Sequence, residues 1–372
     1  MTMDNHRLQA LHDAGQSIWL DYIDRTMLHN GDLERRLTDD VLTGMTSNPS
    51  IFQKALAEGN AYDAQLSAAP PSLDVKQLFE LVETTDVRDA CDIFADVYHR
   101  TKGEDGYVSI EVSASLANDS KGTIEEARRL WSTVNRPNLL VKVPGTEQGA
   151  KAVRQLITEG INVNITLLFA VKAHERVIDA YIDGLAARVA RGQPIDRIAS
   201  VASFFVSRVD TEVDKRLEAI GGAARKLEGK AAVANAKMAY QLFVTKFGGA
   251  RWNALQAKGA RVQRPLWAST STKNPAYSDV LYVESLIGPN TVNTMPPKTI
   301  DDFRDHGNVA RTVDADMAQV RAELAALAQA GVSLDDVTDT LLAEGIASFA
   351  KSFDTLTAGI KAKIGQLHKS AV

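Results

Sequence analysis

The chain has 372 residues, of which 45% are hydrophobic and 24% are charged, and its formal net charge is -5 at pH 7. This composition is typical of a globular enzyme, and the mixed charges form no basic stripe that would bind a nucleic acid. The single cysteine excludes intrachain disulfides and thiolate metal clusters, and no apolar run resembles a signal peptide or a bilayer span. We therefore expect a cytoplasmic protein with no nucleic-acid or membrane partner.

Eight short runs rich in β-branched or apolar residues recur along the chain, and segments with helical periodicity separate most of them. In chain order the runs are 17–23, 41–48, 107–113, 138–145, 162–169, 197–205, 264–270 and 290–296. Several are apolar throughout, as parallel strands are when helices cover one face and packed side chains fill the other. Strand and helix units repeated in this number predict an α/β fold, a (β/α)8 TIM barrel with additional helices.

Helical segments are readable after the third, fourth and fifth runs. In the first of these segments, Thr123 and Glu126 have the spacing of a capping box, which predicts a helix start at Thr123. Helical spacing also fills the connections at about 49–106 and 206–263 and the segment at about 299–372, where we expect the additional helices. No linker rich in Pro, Gly or Ser interrupts the chain, so we expect one domain over residues 1–372.

Polar residues in the last half of each strand are candidates for the active site, because the site of a parallel barrel lies at the carboxyl ends of its strands. These residues are Asp21, Thr46, Asn48, Glu111, Lys142, Asn164, Thr166, Ser203, Ser269 and Asn293. The seven histidines have no metal-site spacing, and no glycine-rich nucleotide motif occurs. We therefore expect neither a metal nor another cofactor.

Lys142 is the most informative candidate, because LLVKVP places an ammonium group inside an apolar strand. Desolvation penalises the charged form, and a neutral amine is a nucleophile toward a ketone. Glu111 and Asp21 also lie in apolar runs and would supply the acid and the base that an imine mechanism requires. The alternative is a buried ion pair between Lys142 and one of these carboxylates, with no catalytic role.

Other polar residues are suited to binding a sugar or its phosphate. Short side chains at strand ends can bind hydroxyl groups, although turns and helix caps use the same residues; they are Asn48, Asn164, Thr166 and Ser203. Arg208 and Lys273 follow the sixth and seventh runs and are candidates for binding phosphate at the rim. Surface salt bridges are the alternative for both.

Five segments resemble the motifs of transaldolases and occur in the order of that family. They are TSNPSIF (46–52), VSIEVS (108–113), LLVKVPGTEQG (139–149), GINVNITLLF (160–169) and ASFFVSRVD (202–210). The chain length is similar to that of the longer bacterial branch of the family. The resemblance implies a barrel enzyme, monomeric or homodimeric, that transfers a dihydroxyacetone unit between sugar phosphates in the non-oxidative pentose phosphate pathway.

The resemblance also implies roles for individual residues. Lys142 would form the Schiff base, Glu111 would act as acid and base through a water that Thr166 helps to hold, and Asp21 would take a hydroxyl proton. The residues that would bind or enclose the dihydroxyacetone unit are Asn48, Asn164, Ser203, Phe205 and Thr46. Arg208, Ser269 and Lys273 would bind phosphate. Residues 268–275 match the family least well. A lysine there offers the phosphate only a point charge, whereas an arginine would bind it with two N–H groups.

The expected donors are sedoheptulose 7-phosphate and fructose 6-phosphate, and the expected acceptors are glyceraldehyde 3-phosphate and erythrose 4-phosphate. Two alternatives stay open. One is a fructose 6-phosphate aldolase that releases free dihydroxyacetone from a similar barrel and lysine. The other is a non-catalytic sugar-phosphate-binding barrel in which Lys142 is only ion-paired.

Overall fold

A closed barrel of eight parallel strands forms the centre of the protein; the computed structural model describes residues 6–57 and 59–370. The strands are β1 Gln16–Asp21, β2 Leu42–Thr46, β3 Tyr107–Glu111, β4 Leu139–Pro144, β5 Val163–Leu168, β6 Ser200–Phe205, β7 Arg264–Ala268 and β8 Thr291–Met295. Each strand pairs with its neighbours in sequence, and β8 pairs with β1 to close the barrel. Seven of the predicted runs contain a whole strand, and the first run, 17–23, contains all of β1 except Gln16, so the predicted fold class is confirmed.

Helices cover the outside of the barrel and part of its carboxyl end. In the described ranges they are α1 His6–Asp13, α2 Arg25–His29, α3 Asp32–Asp39, α4 Pro49–Ala57, α5 Asp63–Ala68, α6 Val75–Ile93, α7 Ala95–Arg100, α8 Ser120–Val134, α9 Glu147–Glu159, α10 Val171–Ala190, α11 Ser207–Ile220, α12 Ala231–Lys246, α13 Ala250–Gln256, α14 Leu281–Glu284, α15 Pro297–His306, α16 Met317–Gln329 and α17 Leu334–Ser370. Short 3₁₀ helices span Ala114–Leu116 and Gly222–Leu227. Helices α4–α7 occupy the connection after β2, and α11–α13 occupy the connection after β6. Among the described residues, no helix is both long and apolar enough to cross a bilayer.

Most strands are largely apolar on both faces, because both faces are buried. Every residue of β2, β3, β4, β5, β6 and β8 is buried. Large side chains fill the core: Trp267 is fully buried and meets Phe204 edge-on, with 6.3 Å between the ring centroids. A polar residue within such a strand therefore loses its hydration and needs a partner inside the protein.

Helix starts follow local capping, and one predicted cap is wrong. Helix α9, predicted after the fourth run, begins after Thr146. The hydroxyl of Thr146 caps the helix by accepting a hydrogen bond from the backbone N–H of Gly149. Helix α8 is capped by Asp119 and not by Thr123, which lies inside the helix and donates to the carbonyl of Leu116. The cap falls at Asp119 because its carboxylate reaches the N–H of Gly122, so the helix begins before Thr123.

The long C-terminal helix α17 packs on α4 and α6 and contributes to the carboxyl end of the barrel. Phe353 packs edge-on against Phe79 of α6, with 5.7 Å between the ring centroids. The hydroxyls of Ser352 and Ser50 lie 2.8 Å apart. These contacts hold α17 beside the ends of the strands, where it forms one wall of the cavity described below.

Candidate active site

A cavity of about 260 Å³ lies at the carboxyl ends of the strands. Ten of the predicted site residues line it: Asp21, Thr46, Asn48, Lys142, Thr166, Ser203, Phe205, Arg208, Ser269 and Lys273. Of the other three candidates, Glu111 and Asn164 each contact a residue that does line it, whereas Asn293 lies in the core. Residues far apart in the chain meet here because parallel strands all end at the same rim.

Lys142 and Glu111 form a buried ion pair in neighbouring strands. The register of the barrel sets Glu111 of β3 beside Lys142 of β4, and Asn164 of β5 beside Lys142 on the other side. The Lys142 ammonium lies 3.1 Å from Glu111 Oε2 and donates to the backbone carbonyl of Ser47 at 3.0 Å. The two side chains are only 7% and 3% exposed. Burial raises the pKa of Glu111, and the positive charge of Lys142 opposes that rise. Glu111 therefore binds a proton more readily when Lys142 is neutral.

Asp21 approaches the same cavity from the end of β1. Its Oδ1 accepts a hydrogen bond from the hydroxyl of Thr46 at 2.9 Å, and that hydroxyl lies 2.6 Å from the hydroxyl of Thr294. Burial raises the pKa of Asp21, and the charge of Lys142 is the largest effect that lowers it. A carboxylate fixed in this way and made more basic by burial is suited to accept a proton from a hydroxyl group.

A chain of hydrogen bonds fixes the polar side chains of three strands. Ser203 donates to the amide oxygen of Asn164 at 2.7 Å, and the Asn164 amide nitrogen donates to the hydroxyl of Ser109 at 3.0 Å. Asn164 is fully buried and orients Ser203 toward the cavity. Asn293, a candidate by its position in the eighth run, instead bonds to Thr270 and Gln16 in the core and does not line the cavity.

Thr166 is buried without a protein partner for its hydroxyl. Among the described residues, no group forms a hydrogen bond with Thr166 Oγ1, although the side chain lines the cavity. The pairing of β5 with β6 shifts register between Ile165 and Leu168, and Leu167 has a φ of 58°. A non-glycine residue in the left-handed region is strained. The bulge and the unpartnered hydroxyl therefore occur together at the cavity, and both oppose stability.

The rim of the cavity carries positive charge. Arg208, in the first turn of α11, lies over the ring of Phe205, with its guanidinium carbon 5.2 Å from the ring centroid. Burial lowers the pKa of Arg208 from its usual value, and a partly desolvated guanidinium binds an anion more strongly than a hydrated one. Ser269 is hydrogen-bonded to Ser207 at 2.9 Å, whereas Lys273 is exposed and donates to Ser271 at 2.7 Å.

Asn48 combines a structural role with its position at the cavity. Its side-chain oxygen accepts from the N–H of Ile51 at 3.1 Å at the start of α4, which is the capping role that the sequence left open. The amide nitrogen is not used by this contact. Asn48 also lines the cavity, so the same residue fixes α4 and faces the interior of the site.

Sequence reasoning missed several residues that line the cavity. They are Ser50, Ala268, Ser271, Thr294, Pro296, Ser348 and Phe349. Thr294 is polar and near the end of the eighth run, so the same strand-end argument was sufficient to find it. Ser348 and Phe349 lie in α17, and no local signal in an amphipathic helix indicates that it faces an active site.

The fold and the site together define a class of protein: a barrel enzyme whose carboxyl end holds a buried lysine between carboxylates, beneath an arginine at the rim. Comparison with known sequences gives the family. The family described as Transaldolase/Fructose-6-phosphate aldolase matches residues 18–360. The chain therefore belongs to this family, and the predicted resemblance and enzyme class are confirmed.

Curated relatives match over nearly their whole length. A transaldolase of Acidothermus cellulolyticus is 50% identical over 355 residues, which cover 95% of each chain. A transaldolase of Trichodesmium erythraeum is 46% identical over 375 residues, and one of Mycolicibacterium smegmatis is 49% identical over 366 residues, each covering 98% of both chains.

Proposed function

We propose that this chain is a transaldolase that carries a dihydroxyacetone unit on Lys142 between a ketose phosphate donor and an aldose phosphate acceptor. The observation that carries the proposal is the buried contact of 3.1 Å between the Lys142 ammonium and Glu111, at the end of the barrel where substrate enters. The name transaldolase, shared by relatives of 46% to 50% identity, favours transfer over release of free dihydroxyacetone.

Imine formation is the first step of the proposed mechanism. Lys142 transfers its extra proton to Glu111, and the free amine attacks the C2 carbonyl of fructose 6-phosphate or sedoheptulose 7-phosphate. Glu111, made more basic by burial, holds that proton and returns it to the C2 hydroxyl, which leaves as water. The hydroxyl of Thr166 lines the cavity and has no hydrogen-bond partner among the described residues, so it is suited to hold the water through which Glu111 acts.

Cleavage of the carbon–carbon bond is the second step. Asp21 accepts the proton of the C4 hydroxyl, the C4–O bond becomes a carbonyl, and the electron pair of the C3–C4 bond moves into the iminium to form an enamine. The aldose phosphate then leaves. The same steps in reverse join the enamine carbon to the aldehyde of glyceraldehyde 3-phosphate or erythrose 4-phosphate, and hydrolysis releases Lys142.

The remaining residues hold the substrate. Ser203, oriented by Asn164, and the amide nitrogen of Asn48, which the contact with Ile51 does not use, are suited to bind the hydroxyls of the dihydroxyacetone unit. Arg208 is the strongest phosphate ligand at the rim, because it is partly desolvated and stacked on Phe205. Ser269 and Lys273 supply a second, weaker contact.

Reductive trapping tests the proposal. The protein is incubated with fructose 6-phosphate and borohydride, and intact-mass spectrometry with peptide mapping locates any adduct. We expect a three-carbon adduct on Lys142 that is absent from Lys142→Ala. Lys151→Ala removes an exposed lysine nearby on α9 and should leave the adduct in place.

The outcome separates three functions. An adduct together with product formation only when an acceptor aldehyde is present supports a transaldolase. An adduct with free dihydroxyacetone released in the absence of an acceptor supports an aldolase. Absence of an adduct on Lys142, with fructose 6-phosphate bound in calorimetry, refutes the Schiff-base mechanism and supports a binding protein.

A further inference from the structure

A second carboxyl group lies behind Glu111, on the side away from the substrate cavity. Glu83 is in α6, which packs on β3, and is only 4% exposed. Glu83 and Glu111 line the same small cavity between α6, β3 and α8. Its volume is about 20 Å³, enough for one water molecule. We propose that Glu83 is a positioning residue that donates a hydrogen bond to Glu111 across this cavity and so sets the pH at which Glu111 exchanges its proton.

The charged groups around Glu83 differ in how they are compensated. Those that face the cavity or act on the two carboxyl groups are Glu80, Glu111, Glu126, Lys76, Lys142 and Asp21. Glu126 accepts hydrogen bonds from both the N–H and the hydroxyl of Ser113, each at 2.6 Å, and from Lys76 at 3.0 Å. Burial alone would raise the pKa of Glu126, but these bonds outweigh it and the pKa is lowered.

Glu80 is also compensated, because Arg129 donates to both of its carboxylate oxygens at 2.8 Å. Glu83 differs from Glu80 and Glu126: within the described residues, no cation forms a salt bridge with it and no protein group forms a hydrogen bond with it. Burial, and then the negative charges of Glu111 and Glu126, raise the pKa of Glu83 well above its usual value. These effects favour the protonated form of Glu83, a carboxylic acid with one O–H group to donate.

A neutral donor at this position favours the charged form of Glu111. The proposed mechanism requires Glu111 to pass from carboxylate to carboxylic acid and back in each half of the cycle, while the charge of Lys142 disappears and returns. When that charge is absent, no other cation among the described residues forms a salt bridge with Glu111. A hydrogen bond from Glu83, carried by one water in the shared cavity, then stabilises the Glu111 carboxylate and lowers its pKa toward the working range.

The inference rests on the role of Glu111 given under the proposed function, and the experiment separates the two. The pH dependence of imine formation is measured by borohydride trapping on Lys142 in the wild type, Glu83→Leu, Glu83→Gln and Glu111→Gln. Glu83→Leu removes the donor, so the limb of the profile that reports Glu111 should move to higher pH by about half a unit or more. Glu83→Gln keeps an N–H donor and a neutral group, so its profile should stay close to that of the wild type.

Glu80→Gln is the matched control, since it changes a carboxylate at the same cavity that Arg129 already neutralises. It should leave the limb unmoved. Infrared difference spectra between the wild type and Glu83→Gln give a readout that does not depend on activity. They should contain the carbonyl band of a protonated carboxylic acid, which the variant lacks.

Each contrary result refutes a particular step. A shift to lower pH in Glu83→Gln, or the loss of a carboxylate band in its spectrum, means that Glu83 is ionised and overturns the inference. An unmoved limb in folded Glu83→Leu also overturns it, as does an equal shift in both Glu83 variants. If Glu111→Gln traps the imine at the wild-type rate and pH profile, the role of Glu111 in the proposed function fails first.

Discussion

Replacing Thr166 with valine should separate function from stability. Valine has the shape of threonine without its hydroxyl, and the hydroxyl of Thr166 is fully buried with no hydrogen-bond partner among the described residues. Thr291, at the start of β8 and therefore at the opposite end of the barrel, is also fully buried. Its hydroxyl donates to the carbonyl of Gly288 at 2.6 Å and accepts from the Gln16 amide at 3.0 Å.

The expected magnitudes follow from these partners. A buried hydroxyl without a partner costs about 1 to 3 kcal/mol, so Thr166→Val should leave the free energy of unfolding unchanged or raise it by about 1 kcal/mol. Thr291→Val breaks two buried hydrogen bonds and should lower it by about 1 to 3 kcal/mol. If Thr166 holds the water through which Glu111 acts, its loss should reduce kcat by about 100-fold, whereas Thr291→Val should leave kcat unchanged.

Two measurements on the same preparations test this reasoning. Urea denaturation followed by circular dichroism gives the change in stability, and a coupled assay with fructose 6-phosphate and erythrose 4-phosphate gives kcat and KM. The reasoning is refuted if Thr166→Val lowers the free energy of unfolding by more than about 1 kcal/mol, or if its kcat equals that of the wild type. The first result would indicate a structural partner for the hydroxyl, and the second would exclude its catalytic role.

Two further predictions concern charge. Arg208→Lys keeps the positive charge at the rim but loses the planar guanidinium that can donate two parallel hydrogen bonds to a phosphate. KM for the sugar phosphate should therefore rise about tenfold with little change in kcat. An unchanged KM in steady-state kinetics would contradict phosphate binding by Arg208. Burial beside Phe204 lowers the pKa of His174 from 6.5 to about 4, so the unfolded chain binds a proton that the folded protein excludes. The contribution of neutral His174 to the free energy of unfolding is therefore fully present above about pH 6.5 and falls by up to about 3 kcal/mol as the pH drops to about 4. In urea titrations at several pH values, His174→Leu should reduce the dependence of the free energy of unfolding on pH. An equal pH dependence in the variant and the wild type would contradict this prediction.

The periodicity of the chain was sufficient to predict the barrel. Strands buried on both faces are apolar at most positions, as in residues 139–144, where Lys142 is the one charged residue. This pattern can be recognised in a single sequence because the helices on one face and the core on the other both exclude water. The positions of Lys142, Glu111 and Asp21 were predictable for the same reason, since a charged residue is conspicuous in an apolar strand. Local capping was not predicted correctly: Asp119 caps α8 in place of Thr123, because several residues near a helix boundary can act as the cap.

Tertiary structure alone decided which polar residues meet. Asn164 and Asn293 are both polar residues inside strands, yet one orients Ser203 at the cavity and the other bonds to Gln16 in the core. The wall formed by Ser348 and Phe349, and the approach of Glu83 to Glu111, depend on how α17 and α6 pack on the barrel. Periodicity within one helix indicates which face is buried but not what that face touches, because the partner is far away in the chain. The sequence by itself therefore determined the strands and the charged residues buried in them, and packing determined the groups that surround those residues.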